Sequence, residues 1–269
     1  MRARWTVATG LLAGAIVLPL LWAVLASLTP EERLFTSTSF VPRGLVLDHY
    51  RALFAGRDFW TPIRNSLIVA GATTMLSVAL GAVSAYALAR LHFRGKTPAL
   101  AFVLAVSMFP QISIVSPLFL LLRELRLLNT YGGLVLPYLT FSMPLAIWLL
   151  VGFFRQLPAD LQDAALVDGA SWIRTLWEIV LPLARPALAT TAILTFLYSW
   201  NEFLFALSFT LGPERYTVPV AIALFRGQYQ VPWGEILAGA VVATLPVAVI
   251  VFAAQRRIIA GLTSGAVKG

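Results

Sequence analysis

The sequence predicts an all-α integral membrane protein that crosses the bilayer six times, and composition, run length and backbone chemistry together predict it. Of 269 residues, 59% are hydrophobic and 12% charged, with a mean hydropathy of +0.83. Soluble domains are about 45–50% apolar and about 25% charged, so lipid must solvate much of this chain. Apolar runs of roughly 20 residues, enough to cross ~30 Å of hydrocarbon at 1.5 Å per residue, fall at about 7–28, 67–88, 99–122, 134–154, 187–207 and 236–254. Each is a helix, because a lone span in lipid can satisfy its backbone only within itself. The whole chain, 1–269, reads as one transmembrane domain.

The first run follows Met1-Arg2-Ala3-Arg4, a charged start like that of a signal peptide. Its apolar stretch is longer than a signal core and no small-x-small site follows, so it is expected to be a retained span. The second carries Ser77, Gly81 and Ala85 four residues apart, a stripe of small side chains that allows close helix approach. The third holds Pro110 and Pro117 with Gln111, Ser113 and Ser116, which predicts a bent, polar-lined helix facing the bundle interior. A packing kink and a place in a transport pathway both fit it. The fifth contains Trp200, Asn201 and Glu202. An unpaired carboxylate at membrane depth costs on the order of 2.5–3.5 kcal/mol, so Glu202 must face the interior or water. It can border the outer part of a pathway or make a structural hydrogen bond between helices.

The net charge is +8 and the pI about 10.4. In a chain this apolar the cations are membrane-interface anchors, which points to anionic lipid and away from nucleic acid. With the N-terminus inside, the cytoplasmic cations are Arg2, Arg4, Arg90, Arg94, Lys96, Arg155, Arg174, Arg185, Arg256, Arg257 and Lys268. The nine on the other side are Arg33, Arg43, Arg51, Arg57, Arg64, Arg123, Arg126, Arg215 and Arg226. Eleven against nine is a weak bias, but the short Arg90 to Lys96 loop and the tails dominate it, so both termini are expected in the cytoplasm. There is no cysteine, hence no thiolate site, and His49 and His92 lack metal-ligand spacing. Arg94-Gly95-Lys96-Thr97 imitates the end of a phosphate-binding loop, yet Arg90 stands where its first glycine belongs and no strand precedes it. No ATP site is expected in this chain.

The loop 155–185 is too apolar and too periodic for a linker. Pro158 and Asp160 suit a helix start, Gly169 a left-handed stop, and Ser171 the cap of a second helix with Trp172, Ile173, Leu176, Trp177 and Val180 on one face. A docking element for a partner and an amphipathic hairpin lying on lipid both fit this pattern.

Asp163-Ala164-Ala165-Leu166-Val167-Asp168-Gly169-Ala170, followed by Leu181-Pro182, resembles the Glu-Ala-Ala loop of ATP-binding-cassette (ABC) importer permeases, with Asp163 in place of the glutamate. Trp200-Asn201-Glu202-Phe203 and the stretch Gly261-Leu262-Thr263-Ser264-Gly265-Ala266-Val267-Lys268-Gly269 resemble the maltose- and trehalose-type carbohydrate branch. The resemblance implies a permease of the type I fold in the plasma (inner) membrane of a prokaryote. It implies a second homologous permease, two ATPase subunits that use ATP and Mg, and an extracytoplasmic sugar-binding protein. This chain would bind no cofactor and catalyse nothing. The loop, through Asp163, Ala164, Ala165, Asp168, Gly169, Ala170, Leu181 and Pro182, would engage an ATPase. The cytoplasmic tail, 255–269, would contact the ATPase pair through Gly261, Leu262, Thr263, Ser264, Gly265 and Lys268. Trp200, Asn201, Glu202, Pro110 and Gln111 would border the sugar pathway. The rival is an ion-coupled secondary transporter, which usually shows inverted repeats, broken helices and intramembrane carboxylates. Only Glu202 is such a carboxylate within a predicted span, and no internal repeat is visible.

Overall fold

The computed structural model describes residues 2–36, 44–225 and 231–263, with side chains between 9 and 255. Among these the chain is helical with no strand, in the order α1 (Arg2–Ser27), α2 (Asp48–Arg51), α3 (Trp60–Arg90), α4 (Lys96–Ser107), α5 (Gln111–Glu124), α6 (Tyr131–Phe154) and α7 (Asp160–Val167). There follow α8 (Trp172–Thr175), α9 (Leu181–Leu183), α10 (Arg185–Trp200), α11 (Leu204–Phe209), α12 (Val218–Ala223) and α13 (Trp233–Thr263). Helices α1, α3, α6 and α13 are each long and apolar enough to span a bilayer.

The other two crossings are not the continuous helices that the apolar runs predict. The third run breaks between α4 and α5, which meet at 91°. Pro110 stands in an extended conformation at the N-cap of α5, since its ring locks φ and it has no N–H to continue a helix. Pro117 sits within α5 without breaking it. The fifth run is α10, a non-helical step at 201–203, then α11. The sixteen residues of α10 fall short of the ~20 needed; α10 reaches spanning length and apolarity only together with the preceding segment 172–183, which it meets at 81°. The last helix runs through Thr263 rather than stopping near 254, because residues 247–260 contain neither Gly nor Pro.

Helices α3 and α6 form the central pair. Gly81 backs onto α6 so closely that an added Cβ would lie 3.1 Å from the Ala146 Cβ. One turn earlier, fully buried Ser77 and Ser142 share a hydrogen bond of 2.7 Å. The small stripe Ser77, Gly81 and Ala85 is thus the contact surface, all three buried. Around one end of this pair Tyr86, Leu150 and Phe154 close a core with Leu176, Val180 and Ala184 from the 155–185 loop.

At the far end polar contacts tie the connections down. Fully buried Asn65 donates to the carbonyls of Glu214 and Tyr216, both at 3.0 Å, and accepts from the Tyr131 hydroxyl at 2.8 Å. Arg57 pairs with Glu235 at the start of α13. Most of α1 leaves its apolar side chains exposed, a surface suited to a bilayer.

Candidate functional site

Two regions answer the sequence expectations. The first is a groove of about 460 Å³ where the broken third crossing faces α6 and α10. Leu104, Ser107, Phe109 and Gln111 line it from either side of the break, Phe141, Pro144, Leu145 and Trp148 from α6, and Tyr198 from α10. The Gln111 amide donates a hydrogen bond to the Tyr198 hydroxyl across the groove. Met108 is 84% exposed and Phe109 53%. Irregular backbone at membrane depth is tolerated only where protein covers it or where it lines a watery cavity. This chain leaves the break uncovered.

Of the pathway candidates, Gln111 lines the groove and Pro110 sits exposed at the break. Asn201 is exposed at the second break, its amide donating to the Leu197 carbonyl at 2.7 Å. Trp200 and Glu202 turn inward. Trp200 is 3% exposed, stacks on Phe196 at 5.7 Å and donates its indole N–H to the Ala243 carbonyl of α13 at 3.2 Å. Glu202 is 7% exposed and accepts from the Phe205 and Ala206 amides of the segment that follows it, at 2.8 and 3.1 Å. Ser113 and Ser116, expected to face the interior, are exposed on this chain. No sequence spacing marks Ser107, Phe141, Trp148 or Tyr198, since they converge from three separate helices.

The second region is the 155–185 loop, which folds as two helices with a glycine turn between. Gly169 has φ +81°, a left-handed conformation that glycine adopts without steric cost. Its N–H and that of Ala170 close on the carbonyls of Leu166 and Ala165 at 3.1 and 2.9 Å, ending α7. Ser171 caps α8 by accepting from the Arg174 amide at 3.3 Å. Asp163, Ala164, Asp168 and Gly169 are exposed, whereas Ala165 is 6% exposed and faces its own chain. Leu181 and Ala170 are half-buried, and Pro182 is exposed in the turn leading to α10.

The apolar set predicted for one face of the second helix divides. A π-turn over Leu176–Val180 seats Leu176 and Val180 in the core while Trp172, Ile173 and Trp177 stay exposed, Ile173 at 71%. With Val167 at 87% exposure they form an apolar patch. The loop is also pinned through the Arg90 guanidinium, which donates to the Leu157 carbonyl. Beyond it the segment 172–183 joins α10, the helix that carries Tyr198, at 81°. In the tail, Gly261, Leu262 and Thr263 extend α13, while Ser264, Gly265 and Lys268 lie outside the described residues.

A bundle of apolar helices with a groove at the break between α4 and α5 and an exposed two-helix element at one end has the build of an importer permease. Residues 77–264 match the model of the binding-protein-dependent transport system inner membrane component, and the chain belongs to that family. It is 46% identical over 267 residues to the trehalose transport system permease protein SugB of Mycobacterium tuberculosis, covering 98% of this chain and 97% of that protein. It is 40% identical to the trehalose/maltose transport system permease protein MalG of Thermococcus litoralis, covering 96% of each. The fold matches a chain of a bacterial ABC transporter that imports the acidic polysaccharide alginate, with TM-score 0.79 and 23% identity over 93% of this chain and 94% of that one. The chain is a multi-pass membrane protein and a permease of the sugar ABC importer type. The broken helices alone would also have suited an ion-coupled carrier; the family assignment decides between them.

Proposed function

We propose that this chain forms, with a second homologous permease, the translocation pathway for a di- or oligosaccharide such as trehalose or maltose. The groove between the helix breaks is its share of that pathway, and Gln111, Tyr198, Pro110 and Asn201 border the sugar's route. Gln111 and Tyr198 supply neutral hydrogen-bonding groups beside the aromatic faces of Phe109, Phe141 and Trp148, a combination suited to a hydroxyl-rich, uncharged ring. An extracytoplasmic binding protein delivers the sugar. Two partner ATPases supply the work, using ATP and Mg that this chain does not bind, and dock on Asp163, Ala164, Asp168, Gly169 and the patch beside them. Both termini lie on the cytoplasmic side of a prokaryotic plasma membrane, with the tail against the ATPase pair.

The observation that supports this reading most is the uncovered break at Met108 to Pro110 beside a groove that one chain leaves half-open. The test is uptake of labelled trehalose and maltose by the complete complex in proteoliposomes. Uptake should require ATP and the binding protein, and Gln111→Leu should raise the apparent KM about tenfold, the scale of losing one or two neutral hydrogen bonds. Uptake that follows an imposed ion gradient without ATP would establish the rival mechanism.

A further inference from the structure

Glu202 lies at the second helix break, buried, with neither oxygen on the groove surface. Its two oxygens serve two different amides: one accepts from Phe205 at 2.8 Å, the other from Ala206 at 3.1 Å. These N–H groups belong to the first turn of α11, where no preceding helical carbonyl can take them. Among the described residues no Lys or Arg pairs with the carboxylate. Phe205 stacks on Phe209 at 5.6 Å with planes 9° apart, and packs against Phe141 at 5.7 Å. Phe141 is in turn a wall of the groove, opposite the break that carries Phe109 and Gln111. A continuous line of contact therefore runs from the buried carboxylate through Phe205 to the groove.

We propose that Glu202 is a positioning residue for transport, one that never touches the sugar. It fixes the step between α10 and α11, and through Phe205 it seats Phe141 as the aromatic wall against which the sugar passes. This rests on the groove being the sugar's route. A carboxylate suits the task because it offers an acceptor to each amide; glutamine keeps one and turns a donor group toward the other. The break then persists but its angle, and the wall it sets, relax.

The complete importer, reconstituted in proteoliposomes with its binding protein and ATPases, tests this with trehalose and maltose as probes. Glu202→Gln and Phe141→Ala should each raise the apparent KM by about tenfold, while the double variant should be no worse than Phe141→Ala, because neighbours acting through one contact are not additive. If the two factors multiply, Glu202 acts on the sugar separately and the proposal fails. A native KM for Glu202→Gln also overturns it. Should Glu202→Gln not assemble, as read by size-exclusion chromatography, Glu202→Asp replaces it in the same cycle, keeping the charge with a shorter reach. Gln111→Leu separates the positioning role of Glu202 from the route itself. If Gln111→Leu raises KM and the Glu202 variant does not, only the positioning role is lost. If Gln111→Leu and Phe141→Ala both leave KM native, the groove itself is not the route.

Discussion

Gly169 offers a way to separate a local backbone effect from a partner effect. Its φ of +81° costs any residue with a Cβ roughly 1–2 kcal/mol. Apart from its chain neighbours, an added Cβ would meet no atom of the described residues within 4 Å, so the backbone penalty is the main cost within the permease. Converted at RT, it shifts the local turn equilibrium by about 5- to 30-fold, a change the helices on either side can absorb. Asparagine adopts the left-handed region several-fold more readily than alanine but carries more bulk. The two explanations therefore order the variants oppositely. If only the turn matters, Gly169→Asn should perform better than Gly169→Ala. If an ATPase surface closes on this turn, Gly169→Asn should be worse, and Gly169→Asp worst, since its charge lies beside Asp168 and near Asp163. The assay is sugar-stimulated ATP hydrolysis and uptake in reconstituted complexes, alongside membrane insertion and binding-protein loading, which should be unchanged. Stimulated hydrolysis and uptake should collapse together in Gly169→Asp. Normal values for both would refute the assignment of this loop as the coupling element.

Three further outcomes follow from the geometry and a fourth from the charge distribution. Ser77→Ala should orphan the buried Ser142 hydroxyl and cost about 0.6 kcal/mol, the average for such pairs in membranes, and no more than about 1.7 kcal/mol, with Ser77→Ala/Ser142→Ala cheaper than the sum of the singles; a double-mutant cycle in detergent unfolding measures it. Gly81→Leu should force α3 from α6 and lower the unfolding midpoint well beyond Gly71→Leu, a position with open space around it. At the far end, the Asn129 side chain bonds the exposed Glu214 carboxylate and holds its pKa below the ordinary value. Its contribution is therefore complete above the usual carboxylate range of about 4.3 and is lost as pH falls through the lowered value. The protection of residues 210–216 against hydrogen exchange, corrected for the intrinsic rate at each pH, should fall in acid, and Asn129→Ala should flatten that dependence; an identical pH profile in the variant would exclude the link. For topology, a chain without cysteine allows Ser39→Cys to be labelled from outside and Ser264→Cys only from the cytoplasm. Both positions lie outside the described residues, and the reverse labelling would overturn the charge argument.

The long apolar helices and the turn at Gly169 were legible in the sequence because they depend on local quantities. Twenty apolar residues in lipid have no alternative to a helix, and a glycine before a capping serine, after an amphipathic octet, ends one. The stripe Ser77, Gly81 and Ala85 showed which face of α3 could approach a neighbour, though not that α6 was the neighbour. What the sequence left open was every matter decided by where separate helices meet. Hydropathy averages over a window, so it could not see that the third and fifth runs stop being helical at Pro110 and Asn201. It could not divide Trp172, Ile173, Leu176, Trp177 and Val180 into core and surface, because a π-turn shifts the register that a regular helical period assumes. Trp200, Asn201 and Glu202 read as one polar group in a row. Tertiary packing sends the first to α13, leaves the second exposed and spends the third on two backbone amides. The groove of Gln111, Phe141, Trp148 and Tyr198 exists only in three dimensions, since side chains 87 residues apart share a hydrogen bond there because two broken helices cross beside α6.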